Sequence, residues 1–317
     1  MLINTVLLII GFVVLIKGAD FFVDGASSTA RNFKVSKMLI GLTIVSFGTS
    51  APEFAVSVKS LLSGSGDITL GNVIGSNILN ILLILGVASL IHPLSVKNNT
   101  VKKELPITLL ITILFGVLLS DKLFDLHVKN TFTRSDGIII VLFFSVFIYY
   151  LISMMRNKID KDESDNKLLS IPKSIIYTVC GIIAIIIGSN VVVDSASKIA
   201  TMMGISQRMI ALTVVALGTS LPELVTSVVA TKKKEYDIAI GNVVGSNIFN
   251  IGIVIGIPTV ILGGVGAVSF SYIDLIVMIG SAILLWLFAF NDYKINRKEG
   301  IMFLIVFLLY YSYVIFG

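Results

Sequence analysis

The sequence predicts an all-α membrane protein of ten transmembrane helices, built as two inverted five-helix repeats with broken second and seventh helices. Three observations lead there. The 317 residues are 56% hydrophobic and only 14% charged, whereas a soluble domain carries roughly 25% charged residues. Apolar runs of about 20 residues, each long enough to cross a bilayer as a helix, recur along the whole length. Residues 39–81 return at residues 209–251 with a constant offset of 170, and 22 of these 43 positions are identical.

Spans are expected near residues 2–24, 37–62, 68–91, 104–120, 135–155, 172–199, 206–230, 238–262, 270–290 and 299–316. The first is read as a span and not as a secretory signal, because no basic residue precedes its apolar run. The second carries GTSAPE at 48–53 and the third GNVIGSNILN at 71–80. The fourth and fifth are plain apolar runs. Residues 156–171 form the one long hydrophilic stretch, a solvated linker that lacks the glycine and ligand spacing of an EF-hand. The order then repeats: Gly18 and Asp24 return as Gly188 and Asp194, followed by GTSLPE at 218–223 and GNVVGSNIFN at 241–250. The chain therefore divides into a first repeat (1–155), a cytoplasmic linker (156–171) and a second repeat (172–317), together one membrane domain. Five spans per half is an odd number, so the second half enters the membrane upside down. Inverted repeats of this kind are a common build of secondary transporters.

Charge sets the expected orientation. With the N-terminus outside, the inner loops hold 17 lysines and arginines and the outer loops five. The positive-inside rule then puts both termini outside. The net charge of +5 is thus a topology signal and not a nucleic-acid patch. One cysteine, Cys180, excludes a disulfide framework or a thiolate metal cage. His92 and His127 lie far apart near helix ends and are not expected to hold a metal.

The chemistry concentrates in the repeated motifs. Glu53 and Glu223 each follow a proline and a Gly-Thr-Ser run well inside a span. A proline removes a backbone donor from the helix ladder, and a broken helix at mid-membrane is tolerated where it lines a cavity or is buried in protein. A carboxylate there is costly and marks a functional site. In the next helix Asn72, Ser76 and Asn80 share one face at i, i+4, i+8, as do Asn242, Ser246 and Asn250. Gly71 and Gly75, with Gly241 and Gly245, make small-xxx-small surfaces, and Asn72, Asn77, Asn242 and Asn247 are read mainly as helix glue. Asp67 and Asp237 read as N-caps, Asp24 and Asp194 as helix-end caps. Ser57 and Ser227 either line an ion path or bond to the preceding turn. The converging groups are hard oxygens, which suit calcium, sodium or magnesium and not zinc or copper; magnesium, reluctant to dehydrate, fits less well. Two carboxylates neutralise one Ca2+ or two Na+, and protons are expected to compete for them.

These four ordered motifs resemble the two alpha repeats of the calcium/cation antiporter superfamily, and within it the chain is most similar to prokaryotic sodium/calcium exchangers. The resemblance covers essentially the whole chain. It implies an ion core of the second, third, seventh and eighth helices, with the first and sixth sliding against it in alternating access. It also implies a ligand set: Thr49, Ser50, Glu53, Ser76 and Asn80 from the first half, and Thr219, Ser220, Glu223, Ser246 and Asn250 from the second. The backbone carbonyls of Ser46 and Ala216 join them, and calcium and sodium share Glu53 and Glu223. Some relatives and the potassium-dependent branch carry aspartate where this chain has Asn250. The proton-coupled branch has an acidic residue in the motif that here reads GNVxGSN. Both departures favour sodium coupling without potassium. The short linker has no room for the regulatory calcium-binding domain of animal exchangers.

The expected function is sodium/calcium antiport that uses the sodium gradient to extrude calcium, in the plasma membrane, with no cofactor, no catalytic residue and no obligate protein partner. A proton-coupled or potassium-dependent calcium exchanger is the alternative. A passive channel fits an inverted repeat around a midplane site less well. Intramembrane aspartyl proteolysis is a remote reading, raised by Gly64-Ser65-Gly66-Asp67 and Tyr236-Asp237. The two aspartates fall on opposite membrane faces in this topology, so they cannot form one dyad.

Overall fold

The computed structural model describes residues 1–125, 127, 129–156, 168–205, 210, 213–214, 216–267 and 270–316. Most of the linker and the start of the seventh helix lie outside the described residues. The spans, in chain order, are α1 Leu2–Asn32, α2 Lys37–Thr49 with Ala51–Leu62, α3 Gly66–Ile91, α4 Thr100–Glu104 running into Leu105–Leu118, and α5 Arg134–Arg156. The second half follows with α6 Ile171–Met202, α7 Ala216–Thr219 with Leu221–Lys232, α8 Tyr236–Leu262, α9 Tyr272–Asp292 and α10 Arg297–Phe316.

Burial sorts these helices. In its most apolar stretch α8 is 94% buried and α3 72%, whereas α1, α5, α6, α9 and α10 range from 17% to 33%. The last five present apolar side chains outward, as a helix facing lipid does, and α3 and α8 are surrounded by protein, so they bury the polar face of their motifs along with their apolar residues. Glycines let α1 and α6 lie backbone to backbone. A Cβ on Gly25 would stand 2.5 Å from the Thr178 nitrogen, and one on Gly188 would stand 2.6 Å from the Leu15 nitrogen. This is the small-residue packing that joins helices where lipid gives no hydrophobic drive.

The repeat extends to backbone detail. Left-handed turns fall at Lys34 (φ 56°) and Gly204 (φ 79°) after α1 and α6, and at Gly64 (φ 72°) and Lys234 (φ 61°) after α2 and α7. Both pairs differ by the same 170 residues. The only strands among the described residues are two-residue pairings between loops. Leu94–Ser95 pairs with Lys294–Ile295, and Thr131–Phe132 pairs with Gly266–Ala267. One ties the α3–α4 loop to the α9–α10 loop, the other the α8–α9 loop to the α4–α5 loop, which is the same connection with the halves exchanged.

Several ends differ from expectation. α1 was expected to stop near residue 24 but runs to Asn32, because Ala26, Ser27, Ser28 and Ala30 are buried and packing replaces the missing apolar surface. Asp24 is therefore not a cap; its carboxylate pairs with Lys233 Nζ at 2.7 Å. Asp194 likewise lies inside α6. Asp67 and Asp237 are not N-caps either. Ser65 and Glu235 occupy the cap positions, and the aspartates sit in the first helical turn, where a negative charge complements the helix dipole. Asp237 pairs with Lys97.

Candidate functional site

Each half brings one break and one polar helix to the centre. α2 bends by 47° between Lys37–Thr49 and Ala51–Leu62. The hinge is Ser50, with φ −83° and ψ 8°, and Ser220 adopts φ −88° and ψ 4° at the equivalent place in α7. The prolines explain the location. Pro52 and Pro222 have no N–H to return to the carbonyls of Gly48 and Gly218, yet a fixed φ suits the first turn of a new helix. Glu53 and Glu223 fall in those first turns. Beside them, α3 and α8 widen into π-turns over Asn80–Leu85 and Asn250–Ile255. Such bulges recur at functional sites. Here they begin at two of the expected ligands.

The two half-sites interdigitate. Glu53 and Glu223 are each 1% exposed and lie close enough to feel each other's charge. Ser50 Oγ donates to Glu223 Oε1 at 2.9 Å, so the hinge of the first half holds the carboxylate of the second. Thr49 and Ser246 also neighbour Glu223, while Thr219 and Ser220 neighbour Glu53. Ser220 Oγ reaches Ser76 Oγ at 3.4 Å. The Ser46 carbonyl accepts from Thr49 Oγ1 at 3.3 Å and from the Ser50 nitrogen at 3.0 Å. Ala216 opens the short helix that leads to the second hinge. Thr49, Ser50, Glu53, Ser76, Thr219, Ser220, Glu223 and Ser246 therefore meet in one buried centre drawn from both halves, and Asn80 and Asn250 follow one turn beyond Ser76 and Ser246.

What lies unpartnered there is informative. Both carboxylate oxygens of Glu53, Oε2 of Glu223, Oδ1 of Asn80, Oδ1 of Asn250 and Oγ of Ser246 are buried without a hydrogen-bond partner. Buried polar groups are ordinarily satisfied, because leaving one unpaired costs about 1–3 kcal/mol and more for a charge. Six such oxygens on the four helices of the two repeated motifs suit a ligand that accepts oxygen lone pairs, which is a hard cation. No group of three or more His, Cys, Asp or Glu side chains able to hold a metal is present among the described residues. Glu53 and Glu223 are the two carboxylates of the centre.

Neighbouring polar residues serve the frame. Asn72 Nδ2 donates to the Glu53 carbonyl at 3.2 Å and to Ser57 Oγ at 3.1 Å; Asn242 Nδ2 donates to the Glu223 carbonyl at 3.3 Å and to Ser227 Oγ at 2.9 Å. Ser57 and Ser227 thereby hold asparagines, a role that neither sequence reading included. Thr49 Oγ1 also donates to Asn242 Oδ1 at 2.9 Å. Asn77 and Asn247 bond across the halves to Asn250 and Asn80. Their identity at offset 170 was the available signal, but helix-face geometry gave no hint of a cross-half partner.

Fold and centre together define the class: a membrane transporter of inverted-repeat build with a buried group of oxygens where the repeats meet. The sodium/calcium exchanger protein family profile matches residues 3–153 and again residues 173–316, one match per half. The chain belongs to the sodium/calcium exchanger family. It is 33% identical over 347 aligned residues to the sodium/calcium exchanger MaX1 of Methanosarcina acetivorans, covering 98% of this chain and 99% of that protein. It is 36% identical over 300 residues to inner membrane protein YrbG of Escherichia coli strain K12, covering 90% of each. A solved structure of the sodium-calcium exchanger NCX_Mj, soaked with 10 mM Na+ and no Ca2+, superposes with a TM-score of 0.85 at 32% identity, covering 100% of both chains.

Proposed function

We propose that this protein is a sodium/calcium antiporter that lets sodium in down its gradient and moves calcium out by alternating access. The cluster of unpartnered buried oxygens around Glu53 and Glu223 carries the reading. Calcium takes 6–8 flexible oxygen ligands, and two carboxylates balance one Ca2+ or two Na+ at equal charge. One centre can therefore serve both ions in turn, which is what exchange requires. The proposed ligands are Thr49, Ser50, Glu53, Ser76, Asn80, Thr219, Ser220, Glu223, Ser246 and Asn250, with the carbonyls of Ser46 and Ala216. The two halves act as one membrane domain, in the plasma membrane, with both termini outside and the linker in the cytoplasm. The relatives support this: MaX1 is named a sodium/calcium exchanger, and the NCX_Mj structures were soaked with Na+, Ca2+ or Sr2+.

The test is radioactive calcium uptake into sodium-loaded proteoliposomes diluted into sodium-free buffer, with proton and potassium gradients clamped in parallel. Uptake that requires the outward sodium gradient is expected. Uptake driven by protons or potassium instead would transfer the protein to another branch of the superfamily.

A further inference from the structure

Four asparagines at the centre of α3 and α8 close a ring across the two halves. Asn80 Nδ2 donates to Asn247 Oδ1 at 2.9 Å, and Asn250 Nδ2 donates to Asn77 Oδ1 at 3.0 Å. Asn77 and Asn247 each donate to the other's backbone carbonyl, at 3.4 and 3.3 Å. All four are 1% exposed. An amide has a donating end and an accepting end, and a cation takes only the oxygen. The ring engages the nitrogen of Asn80 and of Asn250, and the oxygen of each is left buried without a hydrogen-bond partner.

We infer that Asn77 and Asn247 are positioning residues that fix which end of Asn250 and Asn80 meets the ion, each half orienting the ligand of the other. This rests on the proposed cation site. Without the acceptor at 77, the Asn250 amide can turn half a revolution about its last torsion and set hydrogens against the cation. The same ring limits what position 250 can be. A carboxylate there has no hydrogen for Asn77 Oδ1, and its oxygen would face another oxygen at the 3.0 Å now spanned by the bond. With Asn77 in this orientation the ring selects an amide at 250 and keeps the charge of the centre at two carboxylates. Reciprocity has a mechanical consequence too: neither ligand amide is correctly aimed unless the two repeats are in register.

The experiment measures calcium KM for sodium-driven uptake in wild type, in Asn77→Ala, Asn250→Ala and their double variant, and in the mirror set Asn247→Ala, Asn80→Ala and their double variant. Calcium binding to the purified proteins is read in parallel by calorimetry. Loss of a residue that orients a metal ligand costs about 10- to 100-fold in affinity, and that rise in KM is expected for Asn77→Ala. Added to Asn250→Ala, the same change should cost nothing beyond about twofold, because the amide it orients is gone. Asn247→Ala, which removes the acceptor that holds Asn80, should raise KM over the same range, and the rise should vanish on an Asn80→Ala background. Unchanged KM in Asn77→Ala, or fold-changes that multiply in the double variant, would overturn the inference. If Asn77→Ala does not fold, the other half decides: a rise of about 10- to 100-fold in Asn247→Ala that vanishes on the Asn80→Ala background supports the ring, and an unchanged KM or multiplying fold-changes refute it. A wild type that binds calcium in the calorimeter but does not exchange it for sodium fails the functional reading alone, since the binding series still tests the ring.

Discussion

Glu53 and Glu223 are buried in the middle of broken spans, and three of their four carboxylate oxygens accept no hydrogen bond. In a protein selected only for stability such a pair is a liability, since a buried unpaired charge costs several kcal/mol. A cation that binds between them removes that cost. Glu53→Gln should therefore leave the cation-free protein as stable as wild type, or more so, while abolishing exchange. Thermal unfolding with and without calcium checks this. Wild type gains about 2.7 kcal/mol when calcium is present at 100 times its Kd, and the glutamine variant should gain almost nothing. Retained calcium stabilisation in both Glu53→Gln and Glu223→Gln would sink the assignment. Protons contend for the same oxygens, so calcium uptake should fall as pH drops from neutral to acidic, and a flat profile would count against paired carboxylates. These two glutamates were legible in the sequence because a charge inside an apolar run has few structural excuses. Asn77 was legible only as helix glue, which its cross-helix bonds bear out; its partner, 173 residues away, becomes visible only when the halves are folded together.

Helix ends and helix breaks were legible to different degrees, for a physical reason. Pro52 and Pro222 announce a break because the missing N–H acts locally, and the 47° bend of α2 falls where the motif put it. The extra turns of α1 beyond residue 24 depend on burial against other helices, which no local pattern records, so Gly25 to Asn32 read as loop. The same holds for Asp67 and Asp237, whose cap positions belong to Ser65 and Glu235. The bend itself carries a prediction. Pro52→Ala restores a donor that can reach the Gly48 carbonyl, and it favours one continuous helix over two by as much as about 3 kcal/mol. A straighter α2 swings Thr49 and Ser50 away from the Glu223 side of the centre. The variant should fold and keep its thermal midpoint, yet lose at least about tenfold in calcium affinity, judged by analogy with misplaced metal ligands. An unchanged affinity would mean that the glycine and the hinge at Ser50 suffice to break the helix without the proline.

At the scale of the whole molecule, the two halves are alike in backbone and unlike in charge at one end. α1 packs along its length on α6, and near residues 20–27 α1 is tied to the α7–α8 turn. Lys233 Nζ lies 2.7 Å from both Asp20 and Asp24, and Ser27 Oγ donates to Glu235 at 2.8 Å, while Lys37 at the start of α2 holds the same Glu235 at 2.9 Å. Asp24, Ser27, Lys233 and Glu235 border a cavity of about 440 Å³ that also touches Ser28 and Arg31. At the equivalent end of the other half, offset by 170, Asp20, Lys37, Lys233 and Glu235 are replaced by Asn190, Gln207, Ser63 and Ser65. The opposite arrangement of an alternating-access cycle would have a carboxylate, Asp194, with no lysine opposite it where this one has ion pairs. In the proposed cycle α1 and α6 slide on the core, so the Lys233 and Ser27 contacts must break for that end to open. Each partly exposed pair contributes about 0.2–1 kcal/mol, and the two that Lys233 makes with Asp20 and Asp24 together bias the equilibrium severalfold toward the arrangement in which they form. Lys233→Ala should then raise the rate at which a thiol at Ser28→Cys, in a Cys180→Ser background, reacts with a water-soluble reagent, by about threefold to tenfold at low salt. High salt should narrow the difference, because screening weakens the pairs in the unmutated chain. If the thiol reacts equally fast with and without Lys233, the ion pairs only decorate the interface, and the asymmetry between the ends has no bearing on which side opens.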